Sequence, residues 1–200
     1  MTRLPLKYRT PRSWGAFALR DPLALLSDHA YLERKAASNA LDLLNRWPEP
    51  RYPKSWIPSL TSVAKDETLH LARVTHLLQK KGGKLNRLHQ SHYAHDLRKL
   101  VRNGLTPEET VDRLMVSALI EARSCERFEI LAETATDPDL AHLYKSLRAS
   151  EKGHFKLFLN LAAELIPKDE WKKRWEEMLE AEAKIIQAQP LSVSLHSSCP

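Results

Sequence analysis

The chain reads as all-α: a four-helix bundle with a long crossover between its second and third helices and an additional C-terminal helix. Three observations predict this. Gly occurs only five times in 200 residues while Leu and Ala abound, which favours helix and suits a single domain with a substantial core. Apolar residues recur at helical spacing in four long stretches. Each of these stripes is interrupted by a glutamate where a leucine would be expected.

Residues 1–20 carry Arg3, Lys7, Arg9, Arg12 and Arg20 and no acidic residue, and Pro5 and Pro11 argue against regular helix. A basic arm along the surface is expected there. The first long helix should open at Asp21-Pro22, a cap followed by proline, and end at Trp47 before Pro48. Its stripe, Leu26, Ala30, Ala37, Ala40, Leu41 and Leu44, surrounds Glu33. His29 lies one turn before Glu33 and is read as a helix-end or surface histidine, with a place behind Glu33 as the other reading. Prolines and aromatics between Pro48 and Pro58 suggest a packed, non-helical link that could border a substrate entrance. The second helix is expected from Ser59, as its cap, to Lys81, stopping at Gly82-Gly83. Leu60, Val63, Leu71, Val74, Leu77 and Leu78 form a stripe that includes Glu67 and His70, whereas His76 should face solvent.

Residues 80–102 then gather Lys80, Lys81, Lys84, Arg87, Arg98, Lys99 and Arg102, opposed only by Asp96. His89, His92 and His95 step at three but have no carboxylate beside them, so the segment is read as a polar crossover between bundle halves. The third helix should follow Thr106, with Glu109 completing a capping box. Val111, Leu114, Ala118, Cys125 and Phe128 surround Glu121; Cys125 is expected to be a packed thiol, and Glu126 and Glu129 to face solvent. After Thr136-Asp137-Pro138 the fourth helix should run to Leu165, its stripe of Leu140, Leu143, Leu147, Leu157, Leu161 and Leu165 taking in Glu151 and His154. A fifth, Lys168 to Gln187, bears Trp171, Trp175, Met178, Leu179 and Ile186 as a covering stripe. The bundle thus spans 21–188, and 189–200 reads as a Ser-rich tail with no assigned chemistry.

The order Glu33, Glu67-x-x-His70, Glu121, Glu151-x-x-His154 is a doubled helix pair. Three residues apart on a helix, a carboxylate and an imidazole share one face. The motif by itself is weak, since about one Glu-x-x-His would arise by chance in a chain of this composition. Its placement is what matters: an ionised carboxylate in an apolar stripe needs a partner that binds its charged form. A metal ion is such a partner. One Glu from each of two helices and one Glu-x-x-His from each of two others is the ligand set of ferritin-like di-iron carboxylate bundles. Oxygen and imidazole donors suit iron or manganese, and the reaction class that follows is reductive activation of dioxygen with oxygen insertion into a C–H bond. The plainer reading, polar residues at the edge of an ordinary bundle, requires all four stripes to be interrupted by accident.

A formal net charge of +6 and a pI near 9.3 favour a polyanionic partner such as nucleic acid. Cys125 and Cys199 are the only cysteines, too few for a disulfide framework, so reducing cytoplasm is expected. There is no run of eighteen apolar residues and no secretory stretch at the amino end, so no stable membrane association is expected.

Four segments of the chain resemble the tRNA 2-methylthio-isopentenyl-adenosine hydroxylases, the MiaE family. They are Asp28-His-Ala-Tyr-Leu-Glu-Arg-Lys-Ala-Ala37, Asp66-Glu-Thr-Leu-His70, Glu121-Ala-Arg-Ser-Cys-Glu-Arg-Phe128 and Ser150-Glu-Lys-Gly-His-Phe155. The resemblance implies two iron ions held by Glu33, Glu67, His70, Glu121, Glu151 and His154, with dioxygen as co-substrate. It further implies an external electron donor, a reductase or other protein, and tRNA rather than DNA as partner. Lys80, Lys81, Lys84, Arg87, Arg98, Lys99 and Arg102 are then the candidate RNA contacts. Two rival readings share the ligands: a ferritin- or rubrerythrin-like iron oxidase or peroxidase, and a di-iron quinone hydroxylase. No rubredoxin-type Cys pairs support the first, and the basic crossover is a poor match for the apolar surface the second requires.

Overall fold

A computed structural model describes residues 4–47, 53–86, 88–104 and 106–200. Expectations placed on Arg3, Arg87 and part of the link after Trp47 lie outside the described residues. Among the described residues seven helices follow in order: α1 Ser13–Ala18, α2 Pro22–Leu44, α3 Trp56–Lys80, α4 His92–Arg98, α5 Pro107–Thr134, α6 Pro138–Ala163 and α7 Lys168–Gln187. The long helices pack chiefly as two pairs, α2 on α3 and α5 on α6, and α3 meets α6 across the bundle.

Local chemistry sets the boundaries. Asp21 Oδ1 accepts from Ala24 N at 3.0 Å and Pro22 follows it, a start signal whose capping bond is worth about 1 kcal/mol. Ser59 is not the cap of α3: the helix begins earlier, at Trp56, which is wholly buried, and Pro58 sits within its first turn, where no amide donor is needed. Its other end is a Schellman turn. Gly82, at φ +79°, donates to Gln79 O (2.9 Å) while Gly83 donates to Leu78 O (2.9 Å). Thr106 Oγ1 accepts from Glu109 N at 3.4 Å, and the Glu109 carboxylate reaches back to Gly104 N at 2.8 Å, so α5 opens with reciprocal capping.

The two ends of the chain depart from expectation. The basic arm is anchored rather than merely superficial: Leu6, Trp14 and Ala18 are buried, and α1 packs on α5. Gly15 makes that approach feasible, because a Cβ there would lie 2.7 Å from Ile130 Cγ2. Prolines 5 and 11 precede this helix and do not interrupt it. The tail is also packed, with Leu195, His196 and Ser197 buried. Trp14 Nε1 donates to Ser197 Oγ at 3.1 Å, and Arg127, its guanidinium 3.9 Å over the Trp14 ring, donates to Ser197 O at 3.0 Å. Arm and tail therefore close on each other over α5.

Glu126 is a further correction: it is buried, not solvent-facing, because Thr10 Oγ1 (2.7 Å) and Arg123 donate to it. Arg123 is itself fully buried and pairs with Glu182 of α7 at 2.9 Å. A buried cation demands such partners, and Glu182 also accepts from Tyr93 of α4, tying the crossover to the covering helix.

Candidate metal centre

The interrupted stripes meet in the middle of the bundle. Two groups of side chains come together, Glu33, Glu67, His70 and Glu151 in one and Glu67, Glu121, Glu151 and His154 in the other, with ligand atoms in each group within 4.8 Å of one another. Glu67 and Glu151 belong to both. All six residues are buried, and the His70 and His154 rings lie 5.9 Å apart.

Left as bare protein, such a cluster is short of counter-charge. Both Glu67 oxygens, Glu151 Oε1, His70 Nδ1 and His154 Nδ1 lack a protein hydrogen bond, although His154 Nδ1 lies 2.7 Å from Glu67 Oε1 and His70 Nδ1 lies 3.2 Å from Glu151 Oε1. Orphaned buried oxygens and nitrogens converging from four helices are a donor set that fits two hard cations. Titration shifts express the same deficit. Burial, then the Glu67 charge, raises Glu33 and brings Glu151 to about 7; burial, then Glu151, raises Glu121. Burial would lower the two imidazoles, but carboxylates led by Glu151 push His70 up to about 12, and Glu67 leads those that bring His154 to about 9. Glu67 is the exception: burial works to raise it, yet His154, His70 and Glu33 together hold it low. Protons thus occupy places a metal would take, and loading metal must release them.

Supporting contacts orient the donors. His154 Nε2 lies 3.4 Å from Asp66 Oδ2, which leaves Nδ1 facing the cluster. His29 is not a surface residue: it is fully buried, its Nε2 2.5 Å from Glu33 Oε1, its ring 4.9 Å from Phe128 and stacked 5.6 Å from Tyr144. Burial lowers its pKa to about 3, so it is neutral, and the tautomer that suits an ionised Glu33 carries the proton on Nε2. Sequence offered a signal in the one-turn spacing of His29 and Glu33, but could not weigh it without knowing which face α2 buries. Cys125 is a buried thiol whose Sγ lies 3.5 Å from Arg148 O, and burial raises it to about 11.

A cavity of about 60 Å³ runs from exposed Arg98 and half-buried Lys35 down to Glu33, Glu67, Glu121 and Glu151. Leu32, Ala36, Val116, Ile120 and Phe128 give it apolar walls.

A family model described as "tRNA-(MS[2]IO[6]A)-hydroxylase (MiaE)" matches residues 2–197. The chain belongs to the MiaE family. It is 35% identical over 191 residues to a Pseudomonas putida protein named tRNA 2-(methylsulfanyl)-N(6)-isopentenyladenosine(37) hydroxylase, covering 96% of this chain and 91% of that one. A Salmonella typhimurium protein of the same name is 31% identical over 238 residues, covering 96% and 87%. Among solved structures, one titled "Protein 43 with aldehyde deformylating oxygenase activity from Synechococcus" superposes with a TM-score of 0.90 at 35% identity, covering 99% of this chain and 98% of that one. The ferritin-like fold expected from the ligand order is the fold observed.

On this MiaE-family bundle several of the expected RNA contacts are paired with carboxylates. Lys80 pairs with Asp139 at 2.8 Å, Lys81 with Asp137, and Lys99 with Asp96 at 2.7 Å. Arg102 grips buried Asp112 in two-pronged fashion, at 2.8 and 2.9 Å, beside Arg174. Arg98 instead lines the cavity, and Lys84 is exposed. The sequence reading missed Lys35, which lines the same cavity and bonds His89 Nδ1 at 2.9 Å. His89, which joins neither ligand group, is held by Asp28 at 2.8 Å. Among the described residues no helix is long and apolar enough to cross a membrane.

Proposed function

We propose that the chain is a dioxygen-dependent di-iron monooxygenase that hydroxylates the isopentenyl group of 2-methylthio-isopentenyl-adenosine next to the anticodon of tRNA, in the cytoplasm. The observation that carries this reading is the pair of ligand groups sharing Glu67 and Glu151 at the floor of an apolar-walled cavity, in a chain of the MiaE family. Glu33, Glu67, His70 and Glu151 would hold one iron and Glu67, Glu121, Glu151 and His154 the other, with Glu67 and Glu151 as the shared carboxylates. A di-iron centre bound there supplies the activation of dioxygen.

The protein's own side chains account for the rest. Leu32, Ala36, Ile120 and Phe128 take up an apolar chain and exclude water beside the carboxylates. His29 keeps Glu33 oriented, and Asp66 does the same for His154. The overall change joins the substrate C–H, dioxygen, two electrons and two protons to give C–OH and water, so an external electron donor, a reductase or other protein, is required. At the rim, Lys35 and Arg98 are the cations best placed to meet phosphate, and exposed Lys84 carries no carboxylate partner among the described residues, while Lys80, Lys81, Lys99 and Arg102 contribute less because carboxylates already engage them.

A second reading comes from the solved structure titled for aldehyde deformylating oxygenase activity, since the same donor set could serve an aldehyde. Purified iron-loaded protein, given a chemical reductant and dioxygen, is the test. Incubation with tRNA bearing the isopentenyl modification should convert that nucleoside to its hydroxylated form, measured by mass spectrometry of digested nucleosides. Turnover of aldehydes with the tRNA left unchanged would replace the hydroxylase reading by the second.

A further inference from the structure

Two cavities lie against each other beneath the C-terminal tail. The inner one, about 60 Å³, reaches the metal-ligating carboxylates. The outer one, about 280 Å³, lies between Gln90, Ser91 and His92 of the crossover and Ser192 and Ser194 of the tail. Leu32 and His196 line both, so these two side chains form the threshold between them.

Size and chemistry differ across that threshold. At about 10–15 Å³ for each water-sized occupant, the inner space holds about four or five waters and the outer about twenty. The apolar-walled inner space suits a branched apolar chain, and the roomier outer one suits a fused purine ring. Gln90, Ser91, His92, Gln189, Ser192 and Ser194 bring amide, hydroxyl and imidazole groups to the outer walls, the groups that hydrogen-bond to base edges, whereas the inner walls are more apolar above the carboxylates.

His196 stands at the junction in an unusual state. It is 6% exposed, its Nε2 3.2 Å from Ser124 Oγ and its ring 4.7 Å from that of Tyr93, yet Nδ1 has no protein partner. An unmatched buried nitrogen is costly, and a purine N–H or ring nitrogen at the threshold would satisfy it. The tail is also the one part of the inner wall that is not helix; it is held by Leu195 N on Asp28 Oδ2 at 2.8 Å and by the Ser197 contacts to Trp14 and Arg127.

We propose that the outer cleft seats the purine ring of the modified nucleoside, that its N6 substituent passes between Leu32 and His196 into the inner cavity, and that His196 is the positioning residue at this threshold. The proposal rests on the hydroxylase reading above.

Ser192→Trp and Gln90→Trp fill the outer cleft from opposite walls, at exposed positions away from the carboxylates. Each should lower the affinity of metal-free protein for 2-methylthio-isopentenyl-adenosine nucleoside by about tenfold or more, measured by equilibrium dialysis, with iron uptake unchanged. His196→Ala should shift the relative turnover of isopentenyl and bulkier benzyl N6 substituents by about tenfold towards the bulkier group, where simple destabilisation would reduce both alike. If the wild-type protein hydroxylates modified tRNA while both tryptophan variants bind the nucleoside normally and His196→Ala keeps the wild-type preference, the cleft is not the purine seat and the hydroxylase reading stands. If the wild type leaves modified tRNA unchanged, that reading falls and this one with it.

Discussion

In the first half of the bundle, α2 and α3 bring in Glu33, Glu67 and His70; in the second, α5 and α6 bring in Glu121, Glu151 and His154. The donors repeat, but what stands behind them does not. One turn before Glu33 is His29, a neutral imidazole on its carboxylate. One turn before Glu121 is Ser117, which donates to Arg113 O and accepts from Asn39, and so serves the helix backbone and the α2 contact instead. His154 in turn is backed by Asp66 of α3, so the second half borrows support from the first. The candidate ligand set has the same donor types in both halves, whereas each supporting contact depends on what the neighbouring helix happens to bury. Helix α5 is enclosed along nearly its whole length, and Glu121 meets Glu151 of the same cluster where Glu33 has His29 behind it.

The largest break in this comparison comes from residues that belong to both ligand groups. Glu67→Ala or Glu151→Ala should remove most of both irons and abolish hydroxylation, because two cations lose a ligand at once. Glu33→Ala or Glu121→Ala should leave one iron more firmly held than the other. Iron analysis of purified variants checks this, and an equal loss from all four would show that the carboxylates are not shared as the geometry implies.

A smaller effect sharpens the contrast between halves. His29→Ala removes the partner of Glu33 and should weaken iron binding about 10–100-fold, the usual cost of losing a contact behind a ligand. Ser117→Ala, at the matching position, should leave iron affinity unchanged. Competition with a chelator measures both, and equal weakening would mean that the two halves are supported alike.

How much of this was legible in sequence follows the same line. The four long helices could be read because apolar period, caps and glycine stops are local, and the six residues that cluster in the bundle because each breaks a stripe that local pattern defines. The buried Glu126 and the threshold at His196 were not legible, since each depends on a partner from a distant part of the chain, and the His29 contact, only one turn along α2, could not be weighed without knowing which face that helix buries. The arm and tail were misjudged for one reason. Prolines, serines and arginines signal exposed chain, but Trp14, Arg127 and Ser197 are joined over a separation of 183 residues between Trp14 and Ser197, which no local pattern encodes. The charge of the basic cluster could not be judged from its own stretch, because Asp137, Asp139 and Asp112 come from later in the chain to pair with Lys81, Lys80 and Arg102.

The smallest expected effect concerns Cys125, one turn beyond Glu121 on α5. Its thiol is buried, raised to about 11 chiefly by that burial, and directed to Arg148 O, so at neutral pH it is protonated and is neither a metal ligand nor a nucleophile. Cys125→Ala removes one heavy atom from a packed site, which should cost about 1 kcal/mol of stability. Iron content and hydroxylation should stay near wild type. Thermal unfolding and iron analysis on the same sample separate the two roles: lower stability with full iron is the outcome of a packing thiol. Loss of iron with helical content intact by circular dichroism would place Cys125 behind Glu121 as His29 is placed behind Glu33, and the difference between the halves would then be one of partner chemistry and not of presence.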